Sequence, residues 1–265
     1  MADRLTNRRR KQIRSLGRRK HRKEYNQTLV EGVRAVEAAV EAEAPLVEII
    51  VAHPQRHEPR VQSLCDRADA PVFAVEASTV DALSDVRTSQ GLLATVERQY
   101  RPVDALVADV QPTTSILALD RVQDPGNVGT ILRTAAWFGV DALVAGAGTA
   151  GLYGPKVMRA AMGGHWDLAL ARTSDVPAVL RRLSDAGCAT YGADLAGRRA
   201  RRWTPGRPSV LVLGSEAHGV SDAVAQQLDA TVAIPGSPRR RGTESLNVAV
   251  AAGVLVYEWR RAGKE

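Results

Sequence analysis

From residue 115 onward short apolar runs return at regular intervals, and that rhythm restricts the fold more than any other feature of the chain. The runs are SILAL at 115–119, DALVAG at 141–146, DLALA at 167–171, CATYGA at 188–193, SVLVLG at 209–214 and ATVAI at 230–234. Helix-like segments lie between them, and a last one runs from 245 to about 259. Strands covered on both faces read as continuous apolar runs, because the crossover helices of a parallel sheet shield both sides. The expectation is therefore an α/β domain with a mostly parallel sheet. Such sheets bind ligands in the loops that leave the carboxyl ends of their strands.

The first hundred residues have a different texture. Residues 28–44 read as a helix, since Leu29, Val33, Val36 and Val40 recur every three or four positions, and Pro45 stops it. VEIIVA at 47–52, PVFAV at 71–75 and GLLATV at 91–96 read as strands, with a helix over 58–68. The chain thus divides into a small α/β unit at 1–99, a polar, proline-containing linker at 100–113, and the larger domain at 114–265.

Charge separates the two further. Residues 1–23 hold eleven Lys and Arg against Asp3, whereas the whole chain nets +7, so the remaining 242 residues sum to −3. A basic arm on a slightly acidic body bears on partners more than on fold. The arm has one serine and no apolar core, which argues against a transit peptide or a secretion signal and for a cytoplasmic protein. A solvated tail is one reading. The other is a phosphate-binding surface built from Arg14, Arg18, Arg19, Lys20 and Arg22, with Ile13 and Leu16 docking a short helix. A second cluster, Arg198, Arg199, Arg201, Arg202 and Arg207, has Trp203 interleaved, which suggests either phosphate contact with base stacking or a solvated loop. Two distant cysteines exclude a disulfide scaffold, five scattered histidines indicate no metal, and the longest uncharged stretch is 14 residues, too short to span a membrane.

Three stretches carry chemistry. LDRVQDPGNVGTILRTAAWFGV at 119–140 runs from a strand through a polar Pro/Gly loop into a helix, gathering Asp120, Asp124, Asn127 and Arg133; Asn127 also suits a helix cap. LVLGSEAHGVS at 211–221 is a strand entering a glycine-rich turn with one acid, Glu216, and Ser221 placed to cap a helix. VAIPGSPRRRGTESLNVAVAAGVLVYEW at 232–259 passes from a strand through a basic loop to Ser245, an expected cap, and an Ala/Val-rich helix. By contrast, Gly146, Gly148 and Gly151 match a dinucleotide fingerprint but fail on context. No helix opens at once, and Pro155 is the earliest good helical start.

Taken in order, Asp120-x3-Asp124-Pro-x-Asn127-x-Gly129-x3-Arg133, Leu213-Gly214-x-Glu216-x2-Gly219 and Ile234-Pro235…Glu244-Ser245-Leu246-Asn247 resemble the three motifs of the SpoU family. These are S-adenosylmethionine-dependent RNA ribose 2′-O-methyltransferases of the SPOUT superfamily. Residues 13–32 and 89–96 are similar to the substrate-binding domain often joined to them, a fold like that of certain RNA-binding ribosomal proteins. There Ser89 stands where the family commonly has His.

The resemblance implies a parallel α/β domain whose carboxyl-terminal segment threads a trefoil knot, and a homodimer. It implies that the knotted loops hold S-adenosylmethionine through Leu213, Gly214, Glu216, Gly219, Ile234, Ser245 and Leu246. It casts Asn127, Arg133, Glu216, Ser245 and Asn247 as the polar side chains around the reacting 2′-hydroxyl. Arg133 is then either a base or, more in keeping with a guanidinium that does not release its proton, the group that holds a neighbouring phosphate. Pro235 and Ser245 are ten residues apart, against about seven in most relatives. The extra length carries Arg239, Arg240 and Arg241, which are expected to touch RNA or the cofactor's carboxylate. The expected substrate is structured RNA, 23S ribosomal RNA ahead of tRNA. A non-catalytic RNA-binding protein on the same fold is the alternative.

Overall fold

The computed structural model describes residues 5–86, 88–239 and 241–261. The chain forms two compact units: one runs to Gln99 and adds Tyr153–Trp166, and the other holds Tyr100–Leu152 and the remainder from Asp167.

The first unit contains α1 (Asn7–Ser15), α2 (Arg19–Tyr25), β1 (Gln27–Glu31), α3 (Val33–Glu41), β2 (Leu46–Ala52), α4 (His53–Arg56), α5 (Pro59–Arg67), β3 (Val72–Val75), α6 (Ala77–Leu83) and β4 (Leu92–Glu97). Its sheet order is β1-β4-β2-β3, with β4 antiparallel to both neighbours and β2 parallel to β3. The basic arm is not a free tail. Thr6 caps α1 by accepting from the Arg9 amide, and Ile13 and Leu16 are fully buried, as docking of a short helix requires. Leu5 and Ile13 join Leu29, Ile50, Val80, Leu83 and Leu93 in one core.

Two arginines of the arm are structural. Arg9 reaches Glu48 through Nε and Nη2, at 2.6 to 3.1 Å, and donates to Gln27 Oε1 at 2.9 Å. Glu48 is 5% exposed and also accepts from the Thr95 hydroxyl, so its burial is compensated. Arg22 is removed from the expected RNA-binding set. It is 8% exposed, and its Nη1 donates to the carbonyls of Leu16 and Gly17 at 2.7 Å each, tying α2 to the end of α1.

The helix expected over 28–44 is two elements. Thr28, Leu29 and Val30 are buried in succession within β1, and Gly32, at φ +90°, turns the chain into α3. The 3–4 spacing of Leu29, Val33, Val36 and Val40 crosses that turn by coincidence. The Thr28 hydroxyl donates to the Tyr153 carbonyl, which leads into α9 (Pro155–Ala161), packed on β1.

The second unit contains α7 (Val103–Ala108), β5 (Ser115–Leu119), α8 (Pro125–Trp137), β6 (Ala142–Ala145), β7 (Ala169–Arg172), α10 (Val176–Asp185), β8 (Ala189–Arg199), a 3-10 turn (Ala200–Arg202), β9 (Ser209–Leu213), α11 (Asp222–Ala225), β10 (Ala230–Ala233) and α12 (Val248–Arg261). Its six-stranded sheet runs β10-β8-β9-β5-β6-β7 with every pairing parallel. Ile116, Val144, Leu180, Leu183, Val210 and Val212 are buried in one core. Within residues 100–113, α7 places Leu106 in that core, with Val103, Val107 and Val110 against it. The glycine fingerprint opens no helix, since the next one begins at Pro155. Trp203 does not await a base. It is 3% exposed, edge-on to Tyr191 and stacked with Trp259, whose Nε1 donates to Ser209 Oγ.

Candidate active site

The three motifs meet at the carboxyl ends of β5, β9 and β10, all within the second unit. β5 continues one residue past its assigned end, as the Asp120 amide donates to the Leu213 carbonyl at 2.9 Å. The Asp120 carboxylate, 5% exposed, accepts from the Ser221 amide at 2.7 Å and so holds the far side of the second motif's turn. Asp124, rather than Asn127, caps α8, accepting from the Asn127 amide at 2.9 Å. That arrangement leaves the Asn127 side chain free to point elsewhere.

The second motif is a tight loop. Ser215 and Gly219 exchange two backbone hydrogen bonds, each 2.9 Å. Gly219 sits at φ +62°, and a Cβ on Gly214 would lie 2.0 Å from the Gly219 carbonyl carbon. Gly214 is therefore required by the loop's own backbone. The loop presents Glu216 outward.

Asn127 joins the motifs. Its Nδ2 donates to Glu216 Oε1 at 2.7 Å, and its Oδ1 accepts from Asn247 Nδ2 at 3.0 Å. Asn247 Oδ1 in turn accepts from the amides of Ala249, at 2.9 Å, and Val250, at 3.3 Å. Asn247, not Ser245, thus supplies the cap of α12. Ser221 sits at the cap position of α11 without a side-chain bond to it. The result is a relay Glu216–Asn127–Asn247–α12 that ties one residue from each motif to a helix start.

The other expected site residues differ in exposure and in the unit that carries them. Leu213 and Gly214 are buried, while Ile234 is half-buried. Ser245 and Leu246 are exposed, and with Glu244 they make no backbone hydrogen bond to another described residue. Unused donors and acceptors beside an apolar side chain fit a ligand with an adenine ring and a ribose, and the outward carboxylate of Glu216 suits a cationic sulfonium. Arg133 lies six residues beyond Asn127 on α8, about 120° around the helix. It is exposed, with no ion pair to a described residue and no described contact with the relay. Arg14, Arg18, Arg19 and Lys20 are exposed in the first unit, as are Arg239 and Arg241 in the second; Arg240 lies outside the described residues. Asp120 and Asp124 had no assigned role in the motifs. An acid directly following a fully buried strand was the available signal for Asp120.

Comparison with known proteins places this geometry in a family. Residues 114–257 match the model of the SpoU rRNA Methylase family, and residues 7–94 match an MRM3-like substrate binding domain. The chain is 32% identical over 251 residues to the 23S rRNA (guanosine(2553)-2′-O)-methyltransferase RlmP of Bacillus subtilis, covering 94% of this chain and 95% of that one. Among solved structures it resembles the SpoU methyltransferase AviRb from Streptomyces viridochromogenes in complex with AdoMet, at 26% identity and a TM-score of 0.85, covering 97% and 98% of the two chains. An AdoMet-bound rRNA methyltransferase from Sinorhizobium meliloti matches at 29% identity and a TM-score of 0.82, covering 97% and 95%.

Proposed function

The chain belongs to the SpoU rRNA methylase family, and from that premise we propose that it methylates a ribose 2′-hydroxyl of structured RNA, with 23S ribosomal RNA as the substrate. The observation that carries this reading is the Glu216–Asn127–Asn247 relay, which gives all three motifs one shared geometry. S-adenosylmethionine, when bound, supplies an electrophilic methyl group for in-line displacement. Leu213, Gly214, Glu216, Gly219, Ile234, Ser245 and Leu246 are the residues to hold it, through the backbone of loops that the family threads as a trefoil knot. The all-parallel sheet suits that threading.

The chain's own groups then do three things. Asn127, bonded at both ends of its amide, fixes Glu216 by Oε1 and leaves Oε2 without a described partner. We assign Ser245 Oγ and Glu216 Oε2 as the acceptors for the hydroxyl proton. Arg133 holds the phosphate beside the target ribose and polarises the 2′-oxygen, a role that needs its charge and not its proton. Fixing such geometry in advance is worth up to ~7–11 kcal/mol of barrier.

Arg133 shares an exposed stripe of α8 with Trp137, which is 83% exposed, and α12 packs beside it. Val250, Val254 and Tyr257 are also exposed, at helical spacing along α12. A second copy of the chain is the occupant we assign to this apolar face, making the enzyme a homodimer. Val254→Asp should then elute as a monomer, whereas an unchanged elution volume would reject the interface. Arg14, Arg18, Arg19, Lys20, Arg239 and Arg241 contact RNA phosphates. Among the described residues no helix is long and apolar enough to cross a membrane, and we place the enzyme in the cytoplasm with its RNA.

The test is transfer of labelled methyl from S-adenosylmethionine into 23S ribosomal RNA by the purified chain, followed by alkaline digestion. A 2′-O-methyl removes the hydroxyl that attacks the adjacent phosphate, so the labelled nucleotide survives as part of an alkali-resistant dinucleotide. Label on tRNA alone would overturn the ribosomal assignment. No transfer to any RNA, with cofactor binding absent by calorimetry, would leave the non-catalytic alternative.

A further inference from the structure

We infer that the outer half of β8 and the 3-10 turn after it form a phosphate-binding edge of the catalytic unit, one that grips the RNA backbone through Arg198, Arg199, Arg201 and Arg202. The inference rests on the RNA substrate proposed above and adds a surface to it.

β8 is eleven residues long, while its neighbours β9 and β10 have five and four. Only Ala189–Gly192 pairs with β9. Beyond Gly192 the ladder with β10 breaks: Thr231 still pairs with Gly192, but Val232 pairs with Arg198 and Ala233 with Arg199. Residues 193–197 therefore bulge out of the β8–β10 ladder, and the arginines rejoin it. Gly197 makes the return possible, because a Cβ there would sit 2.6 Å from the Thr231 and Val232 backbone. At the other end Ala200 and Trp203 are buried, at 4% and 3% exposure. The four arginines thus stand on a backbone pinned before, between and after them.

Among the described residues nothing answers their charge. All four are exposed, and none pairs with a described residue. The sequence has no acid from Leu195 to Ser215. Arg207, the fifth member of the cluster, turns inward instead, with Nη2 3.5 Å from the Trp259 carbonyl. Four cations carried within five residues of pinned backbone repel one another in the absence of a partner, and a polyanion with regularly repeated charges relieves that repulsion. A single carboxylate, such as that of the cofactor, does not require four.

The position fits the same partner. Ala233, opposite Arg199, leads directly into Ile234 and the loop that bears Arg239 and Arg241, both exposed. Two basic segments some forty residues apart in sequence thereby leave the same end of one strand pair. That end is also where β9 delivers Gly214 and Glu216. The longer third-motif loop and the β8 edge become one surface next to the methylating loops.

The experiment compares wild type with the quadruple variant R198Q/R199Q/R201Q/R202Q and its all-lysine counterpart. RNA affinity is measured across a salt series, S-adenosylmethionine affinity by calorimetry, and methyl transfer as KM and kcat. The slope of log affinity against log salt should fall by ~0.7–0.9 for each phosphate no longer neutralised, and so by about 2.8–3.6 in the glutamine variant if each arginine neutralises one. RNA affinity should drop at least tenfold and KM for RNA should rise, with kcat and cofactor affinity held. The lysine variant should recover most of the slope, because phosphate accepts a point charge. An unchanged slope and KM in the glutamine variant, with wild type active on RNA, would overturn the edge. A fall in cofactor affinity instead would reassign these charges to the cofactor's carboxylate. If wild type binds RNA with a slope that the quadruple variant lowers but transfers no methyl, the edge stands and the proposed reaction fails.

Discussion

The two units each contain a polar network that joins segments distant in sequence, and the two networks are finished differently. Around Glu48 the network is closed: Arg9 meets both carboxylate oxygens, Gln27 and Thr95 complete it, and Glu48 is 5% exposed. Around Asn127 it is open: Glu216 is exposed, offers one oxygen to Asn127 and keeps the other without a described partner, and Ser245, two residues before Asn247, is exposed as well. The difference teaches what each is for. A closed, buried network returns its desolvation cost only as folded structure. An open one with fixed geometry is available to a ligand.

That contrast can be broken by substitution. Glu48→Ala leaves the Arg9 guanidinium without its carboxylate, and the expected cost is ~3–5 kcal/mol of stability, read from denaturant unfolding. A cost below about 1 kcal/mol would mean the network is not closed in the sense argued. Asn127→Ala should instead spare stability and lower methyl transfer by ~10²–10³, equivalent to ~2.7–4 kcal/mol of barrier. A large drop in unfolding midpoint with kcat preserved would reverse the assignment. Next in size, Arg22→Gln should cost ~1.5–3 kcal/mol through its charge-assisted bonds to the Leu16 and Gly17 carbonyls, without altering the salt dependence of RNA binding. Arg14→Gln, Arg18→Gln and Arg19→Gln combined should do the opposite, lowering the salt slope by ~0.7–0.9 per phosphate with little change in stability. Should Arg22→Gln alone change the slope as much as the triple variant, the division of the arm into structural and RNA-facing arginines would fail.

Much of this was legible in the sequence, for identifiable reasons. The strand rhythm of the second unit carried through because continuous apolar runs leave a parallel sheet few alternatives. The buried pair Ile13 and Leu16 was legible because three-residue spacing inside a basic run has little other use. Failures came where two local rules coincided. Helical spacing from Leu29 to Val40 concealed β1, and Gly32 was the residue that should have broken it. Asp124 and Asn127 both suit a cap, as do Ser245 and Asn247. Only the contacts showed that the first of one pair and the second of the other do the capping. Arg9 and Arg22 were indistinguishable from their neighbours, since what makes them structural is Glu48, 39 residues from Arg9, and two carbonyls that any residue would have. Trp203 sat among arginines in sequence while its ring belonged to Tyr191 and Trp259.

Asn247 uses one amide group for two purposes, steadying Asn127 with its nitrogen and receiving the Ala249 amide with its oxygen. The Ala249 proton is consequently a reporter of the relay. Its rate of exchange with deuterated solvent measures how often Asn247 lets go, and so how often Asn127 is left without one of its two supports. The candidate site can in this way be watched through a single backbone hydrogen, in the resting protein and before any RNA is added.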